Sequence, residues 1–224
     1  MSPQRKISLA AGLLYLLTFV SIPTLAIYGP VKSADYILGA GPDTSAIIGG
    51  ILEIIVALAG IGTAIVLFPV LKKQNEGLAL GLVASRILEA STMFLGVAFL
   101  LSIVTLRQAG AGVNALAISQ TLVALYDRIF LLGQSFMPAI NDLLLGFLLY
   151  QSRLIPRSLA LIGIVGGPLL LAGYFCVMFG LAGQHAPLTG LFAVPVALFE
   201  FSLGIWLIVK GFNPSAIAAL ESKN

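Results

Sequence analysis

Residues 45–71 read SAIIGGILEIIVALAGIGTAIVLFPVL, an apolar run in which Glu53 is the one charged side chain. As a helix rising 1.5 Å per residue it would be about 40 Å long, more than the roughly 30 Å hydrocarbon core of a bilayer. A short basic hairpin, Lys72-Lys73-Gln74-Asn75-Glu76-Gly77, ends it, and a second apolar run starts at once at Leu78. This pattern predicts two membrane-spanning helices joined by a tight turn. Outward from the pair, apolar runs of spanning length recur, so that 7–29, 45–71, 78–106, 118–150, 159–181 and 188–209 tile nearly the whole chain. The start of the fourth is open: the pattern is apolar from Ile118, yet the Asp127-Arg128 pair could instead mark the outer membrane boundary. The predicted fold is an all-α polytopic membrane protein, a bundle of six transmembrane helices forming one membrane domain over residues 1–224.

Composition excludes the soluble classes. Hydrophobic residues make up 59% of the 224 and charged residues 9%, against about 25% charged in a soluble domain. Twelve Lys and Arg with nine Asp and Glu cannot clothe a soluble surface of this size. Cys176 and His185, each the only one of its kind, exclude an intramolecular disulfide and are too few for a structural zinc site. The net charge of +3 is small and no run of Lys and Arg exceeds two, so there is no nucleic-acid footprint, and the lipid bilayer is the partner implied. Without a phosphate-binding lysine loop or paired histidines and cysteines, no cofactor is expected.

The connections alternate in character. Those at 72–77 and 151–157 are short and basic, whereas 30–44 and 107–117 are longer, Gly-containing and nearly uncharged. A cytoplasmic N-terminus puts Arg5, Lys6, Lys72, Lys73, Arg153, Arg157, Lys210 and Lys223 inside, against Lys32 and Arg107 outside, the bias of the positive-inside rule. Both termini are then cytoplasmic, residues 213–224 form a loose cytoplasmic tail, and the cytoplasmic membrane is the expected location. Trp206, Phe68 and Tyr150 fall at the inner interface and Tyr28 and Tyr36 at the outer one, as aromatic belts would. Arg5-Lys6, the first apolar run and Thr24-Leu25-Ala26 also admit a cleaved secretory signal, although the run exceeds the usual apolar stretch of about 7 to 15 residues.

Function has to be read from ionisable groups inside the spans, which cost at least about 2.5 to 3.5 kcal/mol at a helix centre and need a reason. They are Glu53 in the outer half of the second span, Arg86 and Glu89 in the inner half of the third, and Asp127 and Arg128 at the outer end of the fourth. Asp142 follows in the inner half of the fourth span and Glu200 near the middle of the sixth. Acids outnumber bases. On the fourth span Asp127, Gln134 and Asn141 recur every seven residues, and Arg128, Ser135 and Asp142 do so one position on. A seven-residue step drifts only about 20° around a helix, so the two columns form a polar stripe that must face protein or water. Pro138 lies in its path. Arg86, three residues before Glu89, can pair with it, and a contact from Arg86 to Asp142 across the helices is plausible by depth. Gly77 with Gly81, and Gly163 with Gly167, offer close-packing surfaces.

Several stretches resemble one family. They are Pro69-Val70-Leu71-Lys72-Lys73-Gln74-Asn75-Glu76-Gly77 with Arg86 and Glu89, Ser152-Arg153-Leu154-Ile155-Pro156-Arg157, Gly166-Gly167-Pro168, and Glu200 leading to Trp206 and Lys210-Gly211-Phe212. Together they resemble the bacterial and archaeal membrane family catalogued as domain of unknown function 4386. The resemblance implies a multi-pass membrane protein of prokaryotic type, with no activity, substrate or cofactor attached.

Three readings follow. In the first, Glu53, Arg86, Glu89, Asp127, Arg128, Gln134, Asn141, Asp142 and Glu200 line a pathway or pocket for a small polar solute or cation. In the second, the same groups only fix helix packing, and the basic hairpins contact a partner or anionic lipid. The third, an intramembrane enzyme, is disfavoured, because Ser135 has no neighbouring base and His185 falls in a loop. Topology is tested with a reporter fused after residue 112, expected on the non-cytoplasmic side; a cytoplasmic signal there would reverse the orientation.

Overall fold

The computed structural model describes residues 1–39 and 42–222, so that Lys223 and the end of the expected tail lie outside the described residues. Its elements are α1 (Pro3–Thr18), α2 (Ser21–Ile27), α3 (Gly29–Lys32), α4 (Thr44–Leu71), α5 (Glu76–Gln108), α6 (Leu116–Phe130), α7 (Met137–Ser152), α8 (Arg157–Met178), α9 (Pro187–Val209) and α10 (Pro214–Glu221). Among the described residues there is no strand, and six helical stretches are long and apolar enough to cross a membrane.

Local chemistry sets the helix starts. Ser2 accepts the Arg5 amide at 3.2 Å ahead of Pro3, and Asn75 accepts the Leu78 amide at 3.0 Å, so the 72–77 hairpin doubles as the cap of α5. Two spans are broken. The first yields after Thr18, and α2 resumes at Ser21. In the fourth, a π-turn over Leu131–Ser135 joins α6 to α7, with the Phe136 amide donating to the Leu131 carbonyl at 3.1 Å. Pro138 cannot donate to the carbonyl four residues back, and the wider turn accommodates that loss.

The six spans close into a ring, each packing on two neighbours in the order α1, α4, α5, α7, α8, α9 and back to α1. Small residues allow the close approaches. A Cβ on Gly12 would lie 2.7 Å from the Gly204 carbonyl of α9, one on Gly163 2.7 Å from the Phe199 ring, and one on Gly167 2.8 Å from the Ala139 carbonyl. Gly77 and Gly81, expected to pack as tightly, meet only ordinary contacts at 3.5 and 3.8 Å.

Both ends of the ring are closed by structure that the apolar pattern does not announce. The expected loose tail is instead α10, because Ala216 and Leu220 bury themselves in the core beside Leu71 and Ile155, and Gln4 and Lys73 both reach Glu221. Arg5 donates to the carbonyls of Leu207 (2.9 Å) and Ile208 at the end of α9, so the two termini share one face. At the opposite face Asp43 accepts from Tyr36 (2.5 Å), Gln108 (2.9 Å) and Arg107 (3.1 Å). The Tyr36 and Gln108 hydrogen bonds, then the Arg107 charge, hold the Asp43 carboxyl below its ordinary value. This latch therefore contributes fully above that ordinary value and is lost only as pH falls through the lowered one. Tyr28 and Tyr36, assigned to an outer aromatic belt, are buried, because their hydroxyls serve carboxylates inside the protein.

In the fourth span the helix begins at Leu116, and Asp127 lies within α6, about 38 Å of helix rise from the Ser152 end. The ring itself rests on contacts such as Gly163 against the fully buried Phe199. Gly163→Ala is expected to lower the melting temperature in detergent by the equivalent of about 1–3 kcal/mol, with Gly77→Ala neutral or better. Equal melting of Gly163→Ala and the parent would contradict the close approach.

Candidate functional site

Counting helix rise from the face that carries the termini, Arg86 of α5, Asp142 of α7 and Glu200 of α9 lie at nearly one depth, about 14–15 Å in, and Tyr15 of α1 about 18 Å. The ring brings them together. Arg86 donates through Nη1 to Glu89 at 3.0 Å and through Nη2 to Glu200 at 2.6 Å, and its guanidinium stands 5.7 Å from the Tyr15 ring centre. Because α5 and α9 are not neighbours in the ring, the bridge to Glu200 crosses its interior. Asn141 of α7 donates to the same Glu89 oxygen at 2.7 Å.

Within this layer three carboxyls face one guanidinium, and full ionisation would leave two negative charges without a basic partner. Asp142 is completely buried, and both of its oxygens, like Tyr15 Oη, Ser135 Oγ, Arg86 Nε and Asn141 Oδ1, have no hydrogen-bond partner among the described residues. Buried polar groups are rarely left so. Such a cluster can balance its charge by holding protons or by holding a cation.

The layer is one end of a cavity of about 300 Å³ inside the ring. Every span contributes to its wall, and the depth of the lining runs from about 14 Å at Glu200 to about 26 Å near Met93 and Tyr174. Glu89, Glu200, Gln134 and Ser135 supply its polar side, while Phe19, Met93 and Leu170 are apolar. Both helix breaks open onto it: Thr18 and Phe19 from the first, Gln134, Ser135 and Pro138 from the second. Gly60 also faces it, and a Cβ there would meet nothing within 4 Å.

Glu53 forms a separate site nearer the opposite face. Its carboxylate accepts from Tyr126 (2.8 Å), Gln134 (3.2 Å) and Tyr28 (3.3 Å). Lys32 sits 4.4 Å from the Tyr126 ring centre and pairs with Asp127 at 2.6 Å. Gln134 is thus both a donor to Glu53 and part of the cavity wall.

The residues singled out from sequence divide accordingly. Arg86, Glu89, Gln134 and Glu200 line the cavity, Asn141 and Asp142 stand behind it, Glu53 is one side chain away, and Asp127 belongs to the outer rim. Arg128 is exposed, and the base that pairs with Asp127 is Lys32. The anticipated Arg86–Asp142 contact is replaced by Arg86–Glu200. Tyr15, Tyr28, Tyr126 and Lys32 were not among the expected site residues. The signal for Tyr28 and Tyr126 was Glu53 itself, a buried acid with no base on its own helix, which calls for hydroxyl or amide donors. Among the described residues no three His, Cys, Asp or Glu side chains are arranged to hold a metal ion.

Searches among curated proteins and among solved structures return no match. A family profile described as a domain of unknown function, DUF4386, matches residues 10–211, a stretch holding every residue of the cavity wall and of the charged layer. The chain, a membrane-like helical protein, therefore belongs to the DUF4386 family.

Proposed function

We propose that the ring binds a small cationic organic solute in its central cavity, in the cytoplasmic membrane of a prokaryote, with both termini in the cytoplasm. The carrying observation is a cavity walled by all six spans whose charged end holds more carboxyls than bases. Glu89 and Glu200 are each only part-neutralised by Arg86 and can take an ammonium group, while Phe19, Met93 and Leu170 suit an apolar body. At about 300 Å³ the space is at the small end of ligand pockets. Breaks in the first and fourth spans, both on its wall, are the elements able to open it, in the way discontinuous helices serve transporter sites, so that binding could extend to translocation. The orientation rests on the basic residues of the terminal face, among them Lys72, Lys73, Arg153, Arg157 and Lys210.

A second reading has its own support. Arg86 ties α5 to α9 and Asn141 ties α7 to α5, so the network could serve as an internal strut of a structural or regulatory module. Native mass spectrometry of the parent, Glu200→Gln and Gly60→Leu separates the two. A Cβ at position 60 meets nothing within 4 Å, so leucine there extends into the cavity, and Glu200→Gln removes the charge. A small polar species carried by the parent and lost from both variants, with Gly60→Leu melting within a few degrees of the parent, is expected. Lipid alone, equal in all three, would overturn the proposal in favour of the strut.

A further inference from the structure

The terminal face carries a second, larger recess that is independent of the central cavity. It encloses about 610 Å³ between the α7–α8 turn and the segment that follows α9. Its floor is apolar: Leu154 and Ile155 are buried, and Phe212 closes one side. Its rim is cationic, with Arg153, Arg157 and Lys210 all exposed, and no carboxylate lines it. Arg153 and Lys210 have no carboxylate partner among the described residues. Arg157 donates Nε to the Tyr150 carbonyl at 3.3 Å and lies over the Tyr150 ring. Glu221, an acid of this face, is already engaged by Gln4 and Lys73.

Three features make this a built site. Trp206 lines the recess, and its indole Nε1, a donor only, is buried with no hydrogen-bond partner. Arg153 is the one non-glycine among the described residues with positive φ, 56°, at the C-cap of α7 where glycine or asparagine is the unstrained choice. Strain retained at an arginine on the rim is a reason to look to its side chain. Gly211, at φ 75°, turns the chain after α9 so that the Asn213 amide donates to the Leu154 carbonyl at 2.9 Å, which locks the recess shut on one side.

We infer that this recess is a phosphate-recognition site at membrane-interface depth, whose ligand chemistry is a phosphate ester beside an apolar body, as in the headgroup of an anionic phospholipid. Cationic side chains meet the phosphate, and Leu154, Ile155 and Phe212, beside the Trp206 ring, meet the adjoining apolar part. Basic pockets between spans on the cytoplasmic side recognise such headgroups.

Trp206 is the only tryptophan in the chain and reports from inside the site. The full chain is reconstituted in vesicles of zwitterionic phospholipid doped with either a brominated anionic or a brominated zwitterionic phospholipid, and Trp206 quenching is followed against mole fraction. Half-quenching at a mole fraction roughly tenfold lower for the anionic lipid is expected. Arg153→Gln with Arg157→Gln and Lys210→Gln should abolish that preference, whereas Lys72→Gln with Lys73→Gln, on the same face but away from the recess, should leave it. Inorganic phosphate added to the parent separates the sources: no effect identifies the lipid headgroup, and loss of the lipid preference identifies free phosphate as the competing ligand of the same site. Equal quenching by both lipids that phosphate does not alter would overturn the inference. So would an anionic preference that survives in the triple variant or disappears equally in the Lys72, Lys73 variant.

Discussion

A fully buried arginine in the middle of a membrane bundle is the constraint to which the rest of the molecule answers. A guanidinium at that depth costs at least about 2.5 to 3.5 kcal/mol before it finds partners, and Arg86 has two, Glu89 one turn along its own helix and Glu200 across the ring. Bridging to Glu200 links α5 to α9, which are not neighbours in the ring, across its interior. The space that remains is the cavity. Asn141, bonded to the same carboxylate oxygen as Arg86, brings α7 into that arrangement.

Around the cluster, charge is graded through the thickness of the protein. The terminal face is basic, the layer at Arg86 holds surplus carboxyls, and beyond it Glu53 stands among tyrosines with Lys32 and Asp127 at the outer rim. Gln134 links the two inner zones, since it donates to Glu53 and lines the cavity. Its position in the π-turn bears on this: an uninterrupted α-helix would rotate Gln134 relative to Asn141 by a different angle, and the wider turn accommodates the donor that Pro138 lacks.

The six spans were legible because apolar length is a property of the local sequence, and the hairpin at Lys72 to Gly77 names its own turn through the Asn75 cap. Most of the polar cluster was legible too, since an ionisable residue inside an apolar run stands out against it. What the residues could not convey was pairing. Arg86 and Asp142 share a depth, but the choice of Glu200 as partner depends on which helices face each other across the ring, a long-range fact absent from any single span. The burial of Tyr28 and Tyr36 was hidden for a related reason: their place at a span's edge fits an interfacial belt, and only the fold around α3 and the start of α4 brings their hydroxyls to Glu53 and Asp43. The docking of α10 was likewise invisible, because Ala216 and Leu220 form too short an apolar set to stand out at the end of the chain.

Whether Arg86 organises the ring is tested most directly by thermal unfolding of Arg86→Gln beside the combined Arg86→Gln, Glu89→Gln and Glu200→Gln variant. Removing the arginine alone strands two carboxylates and should destabilise by about 3–5 kcal/mol, while neutralising all three together should restore most of that loss. An Arg86→Gln protein that melts with the parent, or a combined variant that falls as far as the single one, would contradict the role assigned to the buried guanidinium.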